Sequence, residues 1–343
     1  MSTELPSLCG IGLPFSTHQS SCSNRTPKTF KWIDGYGGVE PIEVWVDNAM
    51  LYSASVKRAR GQKRYGWICE SRAIVTQLYE ALENPIILDE ILDSFDAIFT
   101  CDMDLINKHD KIHFCLSGSN LPWISGNLNE NFQSGGWIDK QSICSIIGSS
   151  KKFAPGHKIR HQYHEGLISR YKQPYDLNKF KREIVSMGRK GDHGSNHTSR
   201  TGGIHAYGSM TGRSFGHAIG CHMKGNEKGG WHKKESALLP YYFSVVIEND
   251  KYDDYFTEKI TDCFVTGTIP IYWGTKNIGK YFDTDGIIQI LSDEPIKEID
   301  SITKILTSHM YYDRIEAVRN NLERVKTMQS ADDMLFEKIK ELS

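Results

Sequence analysis

The sequence predicts an α/β protein of two successive Rossmann-like units followed by a helical C-terminal tail. Short apolar runs alternate with helically spaced apolar residues from residue 42 onward, the rhythm of strands and helices in a mostly parallel layer. That rhythm restarts after a stretch rich in Gly, Asn, Ser and Trp at 118–136. The chain's 343 residues suffice for two such units, at roughly 150 residues per domain.

Residues 1–30, rich in Ser, Thr, Gly and Pro and without periodicity, read as a loosely ordered lead-in. The first unit, 31–138, opens on Ile42-Glu43-Val44-Trp45-Val46, which alternates like a strand. Tyr65 to Cys69 is a second short apolar run, and Ile74, Leu78 and Leu82 lie at helical spacing. Strands are expected at Phe95 to Thr100 and Ile112 to Leu116, with a helical stretch from Met103 to Lys108 between them. The second unit, 139–300, begins with the buried-strand pattern Ile143-Cys144-Ser145-Ile146-Ile147, a polar turn Gly148 to Lys152, and a helix from about His157 past Leu167. Within it, 186–230 is an insertion dense in Gly and His. Beyond Pro240 come a strand Tyr242 to Ile247, a helix Thr257 to Phe264 stopped by Gly267, and strands Thr268 to Trp273 and Gly286 to Ile290. The tail, 301–343, places Ile315, Val318, Leu322 and Val325 on one helix face, which favours packing onto the body. Ser330 and Asp333 have capping-box spacing.

Composition narrows the function classes. Apolar residues are 39% and charged residues 24%, the balance of a globular chain, and the net charge of −1 offers no long-range attraction for nucleic acid. No run reaches the ~20 apolar residues of a membrane span, and Met1 to Ser21 has no basic start followed by an apolar block. A soluble cytoplasmic protein is therefore expected. The eight cysteines form no Cys-x-x-Cys pair and fall mostly in apolar runs, as buried free thiols do. Nine of the thirteen histidines lie between His157 and His232. The candidates His193, His197, His205, His217 and His222 fit no zinc spacing, so no metal ligands are expected.

The densest polar constellation, Glu248 to Lys259, lies between a buried strand and a helix, where open α/β sheets bind ligands. A helix N-terminus there suits a phosphate. Lys259 adds a full charge, Glu258 suits hydroxyls such as a ribose diol, and Tyr255 can stack on a ligand or hydrogen-bond to it. A polar loop leading into a capped helix is the competing reading.

The same stretch resembles a known family. Tyr242-Phe243-Ser244-Val245-Val246-Ile247-Glu248-Asn249, Tyr255-Phe256-Thr257-Glu258-Lys259-Ile260 and Gly267-Thr268-Ile269-Pro270-Ile271-Tyr272-Trp273-Gly274 look like the signature of the α-1,3/4-fucosyltransferases, glycosyltransferase family 10. Lys234 to Tyr241, leading into it, also resembles the family. Weaker similarity reaches Ile143 to Arg160, Ile204 to Gly208 and Trp67 to Arg72. The resemblance implies a GT-B fold, two Rossmann-like domains facing a cleft. It implies a GDP-fucose donor held by Arg160, Asn249, Tyr255, Glu258 and Lys259, with Arg160 and Lys259 neutralising the leaving pyrophosphate in place of a metal. Glu70 is the candidate general base of an inverting transfer to a hydroxyl of a glycan acceptor. A salt bridge from Glu70 to Arg72 or a nearby Lys is its competing reading. Asp34 and Asp47 have nothing in the sequence to tie them to the cleft. Asp102-Met103-Asp104 reads as a capped helix rather than a metal-binding Asp-x-Asp, and His157 and His161 flank Arg160 at one-turn spacing. Rival readings are another nucleotide sugar on the same scaffold, or a non-catalytic glycan- or nucleotide-binding module.

Overall fold

The computed structural model describes residues 5–12, 27–35, 41–124, 140, 142–170, 204–208, 210 and 234–342. Almost all of the insertion 186–230 lies outside them. The described chain forms two all-parallel sheets. The first holds β1 (Ser7–Ile11), β2 (Lys31–Asp34), β3 (Ile42–Val46), β4 (Lys63–Trp67), β5 (Ala97–Thr100) and β6 (Ile112–Phe114), in the order β2-β1-β3-β4-β5-β6. The second holds β7 (Ser142–Ile147), β8 (Ile204–Tyr207), β9 (Tyr241–Ile247), β10 (Ile269–Trp273) and β11 (Ile288–Gln289), in the order β11-β10-β9-β7-β8. Each sheet is wound outward from its first strand. Its switch point therefore lies between the first and third strands, β1 and β3 in one half and β7 and β9 in the other, and ligands of such sheets bind beyond the strands' carboxyl ends there.

The helices follow the sequence rhythm. The first half carries α1 (Thr76–Glu83), α2 (Pro85–Ser94) and α3 (Met103–Ile106). The Asp102 carboxylate caps α3, accepting from the amides of Asp104 and Leu105, as a capped helix requires. In the second half come α4 (Pro155–Arg170) and α5 (Glu258–Val265). Gly267, at φ 62°, ends α5 in a Schellman arrangement, with the Thr268 amide on the Cys263 carbonyl at 2.8 Å and the Gly267 amide on Phe264 at 3.2 Å. The tail forms α6 (Pro295–Ile305), α7 (Ser308–Tyr312), α8 (Ile315–Thr327) and α9 (Ala331–Leu342). On α8, Val318, Leu322 and Val325 are buried, so its stripe packs onto the body.

Two expectations need correction. Residues 7–11, assigned to a loose lead-in, form a strand inside the first sheet, paired on both sides by β2 and β3. Leu8 and Cys9 are buried there. Hydrogen bonding to two neighbours stabilises a segment too short to show periodicity. The tail also does more than cover the second unit, because α9 returns to the first sheet. Phe336 packs on Phe30, and the Asp333 carboxylate accepts from the amides of Lys28 and Thr29 and from the Thr29 hydroxyl at 2.7–3.0 Å. The Asp333 amide donates to Ser330 Oγ at 3.0 Å, which supplies half of the expected capping box. Its carboxylate is divided: Oδ1 faces the opposite half of the molecule, while Oδ2 accepts from the Ser330 hydroxyl at 2.6 Å.

The chain thus crosses between the halves twice, after β6 and again before α9. Asn120 joins the crossings: its Nδ2 donates to the Gln329 carbonyl at 2.9 Å and its Oδ1 accepts from the Ala331 amide at 3.0 Å. One apolar core runs through both halves, from Leu8 and Trp67 to Phe256 and Ile339. The six described cysteines are all buried, and Cys69, Cys101, Cys115, Cys144 and Cys263 are free thiols.

Candidate functional site

The site grows from the carboxyl end of β9. The next residue, Glu248, is fully buried and takes up the start of α5: it accepts from the Thr257 amide at 2.9 Å, from the Thr257 hydroxyl at 2.8 Å and from Lys259 Nζ at 3.1 Å. Lys259 Nζ also donates to the Thr257 hydroxyl and lies 4.0 Å from Glu258. The first amide of this helix end is therefore engaged by a side chain of the protein itself.

The neighbouring strand β7 delivers α4 to the same place. The amide of Gly156 donates to the Asn249 carbonyl at 3.0 Å, and a Cβ at position 156 would lie 1.7 Å from the Glu248 carbonyl oxygen. Only glycine permits so close an approach. One turn later Arg160, also buried, donates to the Gly156 carbonyl and to Asn249 Oδ1 at 2.9 Å. Burial lowers the guanidinium pKa, while the charges of Glu248 and Glu258 and the Tyr255 phenol act to raise it. His157 titrates at about 4, held down by burial and then by the nearby Arg160, Lys151 and Lys259 charges, so it is a neutral imidazole at neutral pH. The His161 ring meets the Ser149 carbonyl at 3.0 Å.

Tyr255 is buried and stacked on Tyr252, centroids 4.8 Å apart. Burial, then Glu70 and Glu248, push its phenol pKa far up. It therefore remains a proton-bearing donor under all ordinary conditions. The whole side chain, hydroxyl included, is enclosed by protein, so neither the expected stacking of a ligand nor a direct hydrogen bond to one fits this residue. Glu258 receives the Ser119 hydroxyl at 2.8 Å and Lys234 at 3.4 Å. Lys234 also pairs with the buried Asp262, whose carboxylate accepts the amides of Trp123 and Ile124 at 2.8 and 2.9 Å. Ser119, Trp123 and Ile124 belong to the segment between the halves, so that segment is fastened to α5.

The first half contributes Glu70, just past β4. It is half-buried, and its pKa is raised chiefly by burial. The charges of Lys259 and Lys151 lower it, while those of Glu258 and Glu248 raise it. Those opposing groups all come from the other half, so the fold brings Glu70 to the face of the Arg160–Lys259 cluster. The competing salt bridge to Arg72 does not form: Arg72 makes a bidentate pair with Asp102 at 2.6 and 2.7 Å and reaches Asp104 at 3.0 Å. Arg72 thus also occupies the Asp-x-Asp carboxylates. All six residues singled out in the sequence lie in this one cluster.

Sequence reasoning passed over Asp47, Glu248, Ser119, Lys234 and Asp262. Asp47, which was set aside as unconnected to the cleft, directly follows β3 and accepts the amides of Cys69 and Glu70 at 2.8 and 3.1 Å. A carboxylate immediately after an apolar strand, repeated as Val46-Asp47 and Ile247-Glu248, was the available signal. Asp34 stands at the end of β2. Among the described residues no group of three His, Cys, Asp or Glu is arranged to hold a metal, and no helix is long and apolar enough to cross a membrane. The histidine candidates of the insertion, apart from the backbone of His205 in β8, fall outside the described residues.

Comparison with known proteins bears on the fold and the family. Residues 203–338 match the family described as glycosyltransferase family 10 (fucosyltransferase), C-terminal part. An alpha-(1,3)-fucosyltransferase of Helicobacter pylori is 33% identical over 76 residues, 22% of this chain and 16% of that relative. The match thus spans a small part of the relative. A crystal structure of an alpha1,3-fucosyltransferase with GDP-fucose superposes with a TM-score of 0.51 at 15% identity, covering 99% of this chain and 91% of that one. Sucrose-phosphate synthase from Thermosynechococcus elongatus superposes at 0.53 with 9% identity, covering 98% and 100%. At such identities the superpositions speak for the fold, which is the GT-B arrangement. Residues 203–338 are thus similar to glycosyltransferase family 10, on a frame that the superpositions show to be of the GT-B kind.

Proposed function

We propose that this protein transfers fucose from GDP-fucose to a hydroxyl of a glycan acceptor, with inversion at the anomeric carbon and without a bound metal. The observation that carries the reading is the meeting of Glu70, from the first half, with Arg160, Glu258 and Lys259 of the second. The Arg160 guanidinium and the Lys259 ammonium supply positive charge for the diphosphate as the glycosidic C–O bond breaks. Glu258 accepts from the ribose hydroxyls, and Asn249 holds Arg160 in place. The acceptor oxygen attacks the anomeric carbon from the opposite face, the new C–O bond forms, and its proton passes to the Glu70 carboxylate. GDP leaves with the electron pair of the broken bond.

Glu70 works as a base only when ionised. Its raised pKa makes it a better proton acceptor than an exposed glutamate, and moves the acid limb of kcat above the usual carboxylate range. Activity is expected to rise with pH through that limb.

Calorimetric titration with GDP, GDP-fucose, GDP-mannose and UDP-sugars, with and without EDTA, tests the donor assignment. Binding of GDP and GDP-fucose unchanged by EDTA is expected. Preference for another sugar nucleotide would replace the donor. No nucleotide binding by folded protein would overturn the reading in favour of a non-catalytic module.

A further inference from the structure

We infer that Asp47 is a positioning residue for Glu70: its carboxylate grips the backbone of residues 69 and 70 and so fixes the base at the mouth of the cleft. This rests on the reading of Glu70 as the proton acceptor.

Three observations carry it. The first is contact: one oxygen, Oδ1, accepts from both the Cys69 amide at 2.8 Å and the Glu70 amide at 3.1 Å. The loop that presents Glu70 is thereby tied to the end of the neighbouring strand. The second is conformation. Asp47 has φ 51°, in the left-handed region, and it shares that property among the described non-glycine residues with Asp254 alone. A side chain other than glycine is strained in this region, and such strain persists where the surroundings require it. The third is repetition. In the second half the residue in the same topological place, Glu248 after the strand at the switch point, is likewise a buried carboxylate gripping a backbone amide of the next functional segment. The same device thus sets the donor-side helix in one half and the base in the other.

Charge follows from the placement. Asp47 is buried, and its pKa lies at about 7, raised first by burial and then by the Glu70 charge, against the pull of the two amides. The Cys69 thiol also feels Asp47. Glu70 itself faces Lys259, Glu258, Lys151 and Glu248, and the Tyr255 phenol. The two carboxyls titrate as a coupled pair, the charge of one opposing the ionisation of the other. When Asp47 ionises, the repulsion makes Glu70 a stronger base, so kcat is expected to climb a second step near pH 7.

Two substitutions separate positioning from mere stability. Asp47→Asn keeps an oxygen for both amides and removes the charge. The donor Kd should stay within about twofold, while kcat falls severalfold and loses the step near neutral pH. Asp47→Gly relieves the φ but drops the acceptor. It should fold normally and lower kcat on the order of tenfold or more. The carboxyl resonance of Glu70, followed by NMR in donor-free protein, should show a second inflection as Asp47 titrates, absent in Asp47→Asn. That readout is independent of turnover. An identical Glu70 titration in both proteins, or Asp47→Gly with wild-type kcat, would overturn the inference. A fully active Glu70→Gln would overturn instead the reading of Glu70 as base.

Discussion

The two halves of the molecule share one winding and use it for opposite chemistry. Each switch point ends in a buried carboxylate, Asp47 in the first sheet and Glu248 in the second. Around Glu248 the chain gathers Lys259 and Arg160, with Lys234 beside Glu258 and Asp262. Around Asp47 it gathers another carboxylate, Glu70, and among the described residues neither makes an ion pair with a cation. The first arrangement favours an anion and the second favours a proton. On the proposed reading, the scaffold divides the work of group transfer between its halves by which charges it places beside the same structural device.

That division can be broken from either side. The largest effect is expected from Glu70→Gln, which should lower kcat by a factor on the order of 10² or more while leaving donor affinity intact. Lys259→Ala should do the converse, weakening GDP binding, and should also drive the Glu70 pKa further up because Lys259 is the main charge lowering it. Single-turnover rates and donor titrations on both variants would show the split; equal loss of binding in both would refute it. Gly156→Ala comes next. Its methyl would collide with the Glu248 carbonyl, and separating α4 from β9 should cost about 1–3 kcal/mol in urea unfolding, with donor affinity lost before the fold. The smallest effect concerns the bridge between the halves. Burial tends to raise the Asp333 pKa, but the hydrogen bonds from Ser330, Thr29 and Lys28 outweigh it and hold the pKa below the usual value. Its stabilising contribution is therefore complete above the ordinary carboxylate pKa and is lost as pH falls through the lowered one. Asp333→Asn should reduce stability by about 1–2 kcal/mol at neutral pH, with the difference from wild type shrinking in acid. A pH-independent difference would refute the charge argument.

The donor half was the legible one, and for a physical reason. Asn249, Tyr255, Glu258 and Lys259 fall within one strand–loop–helix passage, so local spacing places them together and the shape of the loop does the rest. Glu70 was reached through resemblance alone, since its partners lie across the cleft. Asp47 and the Ser119–Glu258 and Asp262–Trp123 fastenings depend on contacts between residues more than twenty positions apart, which no periodicity records. The strand at residues 7–11 escaped notice because both its neighbours, not its own pattern, stabilise it.

Asn120 has a mechanical consequence. Two covalent crossings pinned to each other at one side chain act as a pivot, since they resist sliding of the halves but oppose rotation only weakly. Displacement about a pivot grows with distance from it. Ser119, the residue before Asn120, donates to Glu258 at 2.8 Å, so this pivot stands beside the candidate site, and a rotation about it would open the far rim of the cleft more than the site itself.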